Sequence, residues 1–396
     1  MGKKLIPLAP VALCRLLSPY TTPVAFIQQL DSVLEQPALL ELVVECANRH
    51  MLMGTLYACL REHQQLQRLP GQLRDYLHCQ HTFMQARNQR LREQTLGIIT
   101  PLNQMGVTPL LLKGSDTLFY PLYPDQGCRF MSDLDILLPS GTMPVAQQAL
   151  AAQGYAVPEQ YQQAKLGPNP HHDIPLYKPG HDCAIELHYQ PLSYKAGTVL
   201  DTENAFAASL ATSEGEPNPA QFRALSPTHK LLHSFIHSEI CHSDDRHDRL
   251  SIRQLDYFVR LLKHFQGQLD WPWLAQHLEQ HGYQDAFARY AYKARQLYDV
   301  PQAALPFALE QATSPTWQRR YGIALKMAMR GHYPGLRFKQ GLGHLLSVFE
   351  KQRLARQYPT EKRRDYAWAV VRKAGSLLRR CANPRRLALE LRWVLA

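Results

Sequence analysis

Residues 113–138 read KGSDTLFYPLYPDQGCRFMSDLDILL, and the architecture of the chain follows from them. Near the end of the stretch, Leu134, Ile136 and Leu138 alternate with Asp133 and Asp135. Side chains of a strand point alternately to its two faces. The spacing therefore predicts a strand with one apolar, packed side and both carboxylates on the other. Two carboxylates a few ångströms apart repel and raise each other's pKa unless a cation lies between them. Magnesium meets that need, because it takes hard oxygen ligands and keeps positions open for phosphate and water. A bare Asp-x-Asp is also how a strand ends in solvent, so the pair alone establishes no site.

Three neighbouring features favour chemistry. Upstream, VTPLLLKGS (107–115) is an apolar run closed by Gly114 and Ser115, and such a turn can offer backbone N–H groups and a hydroxyl to phosphate. Lys113 and Arg129 put positive charge close by in sequence. Downstream, AIELHY (184–189) holds Glu186 between Ile185 and Leu187, where an acid without a partner is costly. Glu186 is thus the expected third acid of a metal site. His188, two residues on, shares its face; it orients phosphate or acceptor, or is a hydrogen-bonded cleft residue.

On either side the period changes to that of helices. LLELVVECANRHMLMGTLYACLREH (39–63) and LRDYLHCQHTFMQARNQRLREQTLGIITPLNQMG (73–106) keep apolar residues three and four apart. After the Asp-x-Asp strand, MPVAQQALAAQ reads as a helix, GYAVPE as a short strand and CAIELHYQPLS as a further one. Strand, helix and strand within about 90 residues predict an α/β (α+β) chain with a small mixed sheet under helical cover. Past Pro227, THKLLHSFIHSEICH, LSIRQLDYFVRLLKHF, WPWLAQHLEQHGY and QDAFARYAYKARQLYDV return to helix, and PQAALPFALEQATSPT is a proline-broken linker. The expected division is helical 1–98, a core at 99–200, helical 201–312 and a basic region at 313–396.

Composition narrows the class. At about 150 residues per domain, 396 residues suggest two or three units. An apolar share of 45% and a charged share of 19% exclude collagen, a low-complexity polymer and a wholly disordered chain. No run approaches the roughly 18 to 20 apolar residues that span a bilayer. In the opening MGKKLIPLAPVALCRLLSPY, Pro7, Pro10 and Arg15 break the apolar run without a clean cleavage site, which predicts a mature, cytoplasmic start. Eight cysteines without a CxxC pair predict free thiols in a reducing compartment.

Charge is unevenly placed. From Arg319 onward, nineteen Lys and Arg face four acids, a net +15; the preceding residues hold twenty-five against twenty-nine, a net −4. DYAWAVVRKAGSLLRRCANPRRLALELRWVLA (365–396) interleaves Trp368, Val370 and Leu377 with Arg372, Lys373, Arg379 and Arg380. Such a segment can lie on an anionic membrane, here the inner face, or neutralise RNA phosphates. A solvated helical face packed on the body is the third reading. Nothing in the sequence sets the oligomeric state.

Eighteen histidines supply a rival site. His229, His233 and His237 recur every fourth residue, followed by His242, Asp244, Asp245 and His247-Asp248, a pattern of metal-dependent phosphohydrolases. HSFIH nevertheless has Ser234 where HExxH has its glutamate, so packing and hydrogen bonding are favoured. His171-His172-Asp173 falls in a loop and suits either a lid contact or plain solvation.

The glycine-serine turn, the Asp-x-Asp strand and a later acid resemble the nucleotidyltransferase superfamily that includes DNA polymerase beta. LLLKGSDTLFYP, CRFMSDLDILLP, the following GY, HHDIPLY and IELHYQPL resemble, more narrowly, the bacterial "uncharacterised nucleotidyltransferase" family. The likeness runs over roughly residues 30 to 300. It implies transfer of a nucleoside monophosphate from an NTP, with ATP the expected donor, to an unidentified acceptor hydroxyl, releasing pyrophosphate. Asp133, Asp135 and Glu186 would hold two Mg²⁺ ions. Gly114 and Ser115 would bind the β and γ phosphates, and Lys113 and Arg129 would neutralise the leaving pyrophosphate. The gap from Gly114 to Asp133 is longer than in minimal members, which bears on the role of Ser115. The alternative within the same resemblance is a catalytically inactive interaction module whose basic tail makes the contacts.

Overall fold

The computed structural model describes residues 2–162, 170–193, 196–215, 219–242, 248–306 and 314–329. The alternating stretches become strands. Among the described residues, β1 (Leu110–Leu111), β2 (Asp133–Leu137), β3 (Ala184–His188), β4 (Ser209–Glu214) and β5 (Ala220–Leu225) form one mixed sheet in the order β3-β2-β1-β5-β4. β2 runs parallel to β3 and antiparallel to β1; β5 runs parallel to β1 and antiparallel to β4. Asp135 lies directly opposite Glu186, and Leu137 opposite His188. The period of two then sorts the side chains, with Asp133, Asp135, Glu186 and His188 on one face and Leu134, Ile136, Ile185 and Leu187 on the other.

That second face is the core. Leu91, Ile98, Ile99 and Leu102 of the long helix α6 (Gly71–Gln104, following α1–α5) and Ala146, Ala149 and Leu150 of α7 (Met143–Ala152) bury it. The five earlier helices are α1 (Gly2–Leu5), α2 (Leu8–Leu17), α3 (Pro23–Leu34), α4 (Pro37–Arg49) and α5 (Met53–Glu62). After the short α8 (Thr202–Ala207), α9 (Pro227–Phe235) runs into a π-helical turn, Ile236–Cys241. Then come α10 (Ile252–His264), α11 (Trp271–Gln280), α12 (Gln284–Tyr298) and α13 (Pro315–Ala328). Helices from before and after the sheet share a core: α2 packs on α10 and α12, Ser18 Oγ donates to the Tyr298 carbonyl, and Arg260 donates to the Leu17 carbonyl. Met1–Ala328 forms one compact unit and Met329–Ala396 another.

Two readings of the sequence change. GYAVPE supplies a single bridge, Ala156 to Tyr177, in place of a strand. The sheet runs past the expected core limit of 200 to Leu225, because the β4–β5 pair lies in a stretch expected to be helical. β4 is an edge strand whose side chains are exposed or half-buried apart from Ser209, so SLATSE carries little apolar alternation to mark it. No described helix is long and apolar enough to cross a membrane, and the seven described cysteines are free. Cys381 and the basic stretch 365–396 lie outside the described residues.

Candidate active site

The site begins where β1 ends. Lys113 takes a left-handed backbone conformation, φ 53°, uncommon for a residue with a β-carbon and concentrated at functional turns. The Tyr257 hydroxyl of α10 pins this turn by donating to the Lys113 carbonyl at 2.9 Å. From here the Lys113 ammonium reaches Asp135 Oδ1 at 2.5 Å. The Leu112 N–H donates to the Asp135 carbonyl, and the Asp135 N–H donates to Ser115 Oγ at 2.9 Å. Ser115 is 1% exposed, so its hydroxyl completes the join between the turn and β2. The hydroxyl expected to face phosphate accepts here from the Asp135 N–H. Gly114 owes its identity to close approach: a β-carbon there would stand 2.7 Å from Arg129 Nε. The Arg129 guanidinium lies over the Tyr257 ring at 4.2 Å and donates to the Tyr123 hydroxyl, while its Nε is buried without a partner.

The carboxylates differ sharply in environment. Asp135 is 2% exposed, and its Oδ1 accepts from both Lys113 and His188 Nε2, the latter at 2.9 Å. Burial pushes the Asp135 carboxyl up, but Lys113 and His188 outweigh it and hold the group well below the usual carboxylate range. Burial and then the Asp135 charge push Asp133 up. Glu186 moves down: burial opposes the shift, and the His188 hydrogen bond and the Lys113 charge overcome it. For His188, burial favours the neutral ring, yet its bonds to Asp135 and Glu186 raise its pKa. His188 Nδ1 faces the Gln190 carbonyl at 3.3 Å, so the ring, when charged, donates from both nitrogens. Ligand atoms of Asp135, Glu186 and His188 lie within 4.8 Å of one another. Asp133 shares their face but is not among that tight set, and Lys113 sits on the Asp135 carboxylate while lining the cleft. Three acids on one face carry more negative charge than one lysine and one histidine balance. As hard oxygen donors, they suit a divalent cation.

Helices form the opposite wall. A cleft of about 140 Å³ is bounded by Lys113, Asp133 and Asp135 on one side and by His233, His237 and Arg253 on the other. His233 Nε2 donates to the Pro191 carbonyl at 2.9 Å, and its ring stacks on that of His237. Burial lowers the pKa of both, His233 to about 4 and His237 well below the usual histidine range, which favours the neutral rings at pH 7. His237 projects from the π-helical turn, a feature frequent at functional sites. His229 points elsewhere, bonded to Ser226 and packed on Trp273. The rival histidine site thus divides: His233, His237 and His242 line the carboxylate cleft, and among the described residues they form no separate metal cluster. Asp244, Asp245 and His247 lie outside the described residues.

The His171–Asp173 loop runs along the open edge of β3, the Asp173 N–H donating to the Leu187 carbonyl. It brings His172 Nε2 to 3.9 Å from Glu186. Sequence reasoning missed Tyr257 and Arg253, which reach the cleft from an ordinary amphipathic helix. It also missed the buried pair of Asp116 and Lys230, which ties the turn to α9. Asp116 follows the glycine-serine turn directly, but nothing in the sequence pairs it with Lys230. A larger cavity of about 370 Å³, lined by Arg92, Phe119, Tyr120 and Tyr123 among others, adjoins the cleft through Arg129 and Met131.

A model of the family described as "Uncharacterised nucleotidyltransferase" matches residues 37–299. The matched span contains every strand among the described residues and the lining of both cleft walls. No curated protein matches the chain, and no solved structure does.

Proposed function

The chain belongs to the uncharacterised nucleotidyltransferase family, and from that premise we propose that it moves a nucleoside monophosphate from an NTP, ATP foremost, to an acceptor hydroxyl. The acceptor oxygen forms a bond to the α-phosphorus, the bond from that phosphorus to the β-phosphate oxygen breaks, and pyrophosphate leaves. The observation that carries this reading is the register pairing of Asp135 with Glu186, with Asp133 on the same face above the Lys113 turn.

Asp133, Asp135 and Glu186 would hold two Mg²⁺ ions. Such ions, when bound, neutralise the triphosphate and acidify the attacking hydroxyl. The residues of the chain do the rest. The Glu186 carboxylate takes the acceptor proton. Lys113 exchanges Asp135 for phosphate oxygens once the carboxylates are otherwise neutralised, and Arg129 and Arg253 add positive charge to the lining of the same cleft. The neutral His233 and His237 rings exclude water without adding charge. The small cleft suits phosphates, and the adjoining cavity is of ligand size, giving the nucleoside room.

The test is direct. Purified protein is incubated with each labelled NTP, Mg²⁺ and candidate acceptors or a cell extract, and pyrophosphate release and the destination of the label are followed. Asp133→Asn is expected to lower metal-dependent turnover by about 10²-fold or more, on the scale of losing one preorganised electrostatic contact. Wild-type turnover in that variant refutes the assignment, and no labelled product with any NTP favours an inactive module.

A further inference from the structure

His188 is better placed than any phosphate contact requires. It is 0% exposed, and its Nε2 points at two carboxylates, 2.9 Å from Asp135 Oδ1 and 3.6 Å from Glu186 Oε2. Bonds of about 2.1 Å to a shared cation set neighbouring ligand atoms about 3.0–3.4 Å apart, whether the geometry is octahedral or tetrahedral. The observed spacings bracket that range. The other ring nitrogen, Nδ1, is held on the Gln190 carbonyl at 3.3 Å. A metal-binding imidazole nearly always has this arrangement, one nitrogen anchored on a carbonyl and the other turned to the ion. His172 repeats the motif beside it: Nδ1 lies 2.6 Å from the Asp173 carbonyl and Nε2 faces Glu186 Oε2 at 3.9 Å. It thereby faces the same Glu186 oxygen as His188, from farther off.

Resting on the nucleotidyl-transfer reading above, we infer that His188 Nε2 is a ligand, with Asp135 and Glu186, of one of the two cation positions. That position therefore selects a first-row transition ion, with Mn²⁺ as the probe, over Mg²⁺. The physical reason lies in the donor atom. Imidazole nitrogen binds transition ions well and magnesium poorly, whereas an all-oxygen set discriminates little between Mg²⁺ and Mn²⁺. On binding, the cation replaces the Nε2 hydrogen, and Lys113 gives up its contact with Asp135. The Asp133 side of the cleft keeps only oxygen donors on the strand and remains suited to Mg²⁺.

Full-length protein stripped of metal and given less than one equivalent of Mn²⁺ provides the test, by pulsed EPR. Nitrogen-14 coupling to the bound ion is expected in the wild type, together with an Mn²⁺ affinity at least about tenfold above that for Mg²⁺ in competition. H188Q is expected to lose the coupling and to narrow the affinity gap, while H172Q keeps the coupling. Because His188 is wholly buried, H188Q is checked by circular dichroism. Should it not fold, the wild-type chain with Zn²⁺ is read instead by the NMR shifts of the His188 ring nitrogens, which move on ligation. Mn²⁺ bound without nitrogen coupling, unshifted ring nitrogens, or coupling that survives in folded H188Q overturns the inference and leaves the transfer reading standing. Absence of Mn²⁺ and Mg²⁺ binding alike overturns both.

Discussion

Asp133 and Asp135 enter the sequence as equals, two residues apart, yet they carry different burdens. Asp135 is enclosed and balances two cationic side chains, Lys113 and His188, while Asp133 sits at the cleft with its pKa raised by burial and by its neighbour. Removing one partner of a buried ion pair typically costs about 3–5 kcal/mol, because the remaining charge stays desolvated. Asp135→Ala is therefore expected to lower the free energy of unfolding by that amount, measured by chemical denaturation, and Asp133→Asn by much less. Equal stability losses in the two variants would contradict this division of labour. The loss of turnover in Asp133→Asn is then the cleaner test of chemistry.

At the scale of elements, the wall made by α9 and its π-helical turn depends on neutral histidines. His233 is fully enclosed with its pKa lowered to about 4, and His171 on the facing loop is lowered to a similar value. A lowered histidine binds its proton in the unfolded chain before it does so in the folded one. Stability from this source is therefore complete above about pH 6.5 and falls as the pH drops towards 4. For His233 the loss at pH 5 is on the order of 2 kcal/mol. His188 has the opposite sign: its raised pKa stabilises below about pH 6.5, and that contribution fades as the pH rises through its folded value. Denaturation midpoints at pH 5 and pH 7 should show lower stability at pH 5, and His233→Gln should reduce the difference. A pH-independent midpoint, or an unchanged difference in His233→Gln, would show that the wall does not titrate in this way.

Across the whole molecule, the described site lies within Met1–Ala328, and Met329–Ala396 forms a second compact unit that holds most of the excess positive charge. A chain ending at Met329, which keeps that buried side chain, is expected to retain Mg²⁺-dependent turnover. Its Tm should stay within about 2 °C of the full-length value, equivalent to about 1 kcal/mol for a chain of this size. Comparing the two chains for sedimentation with anionic vesicles and with RNA tests the basic segment, since only the full-length chain should bind. Loss of turnover in the shorter chain would mean that the second unit serves the reaction itself.

The sequence by itself determined the strands around Asp133 and Glu186, the shared face of their acids, the helical cover and the family, because period-two alternation and short motifs are local properties of a chain. Tertiary structure alone decided the pairing of Asp135 with Glu186, the retreat of Ser115 into the fold, and the arrival of Lys113 and His188 on one carboxylate oxygen. It also brought His233 and His237 of the histidine ladder to the opposite wall of the same cleft. Those outcomes depend on strand register and helix packing between residues 20 to 120 positions apart, and no local pattern encodes a distance of that kind.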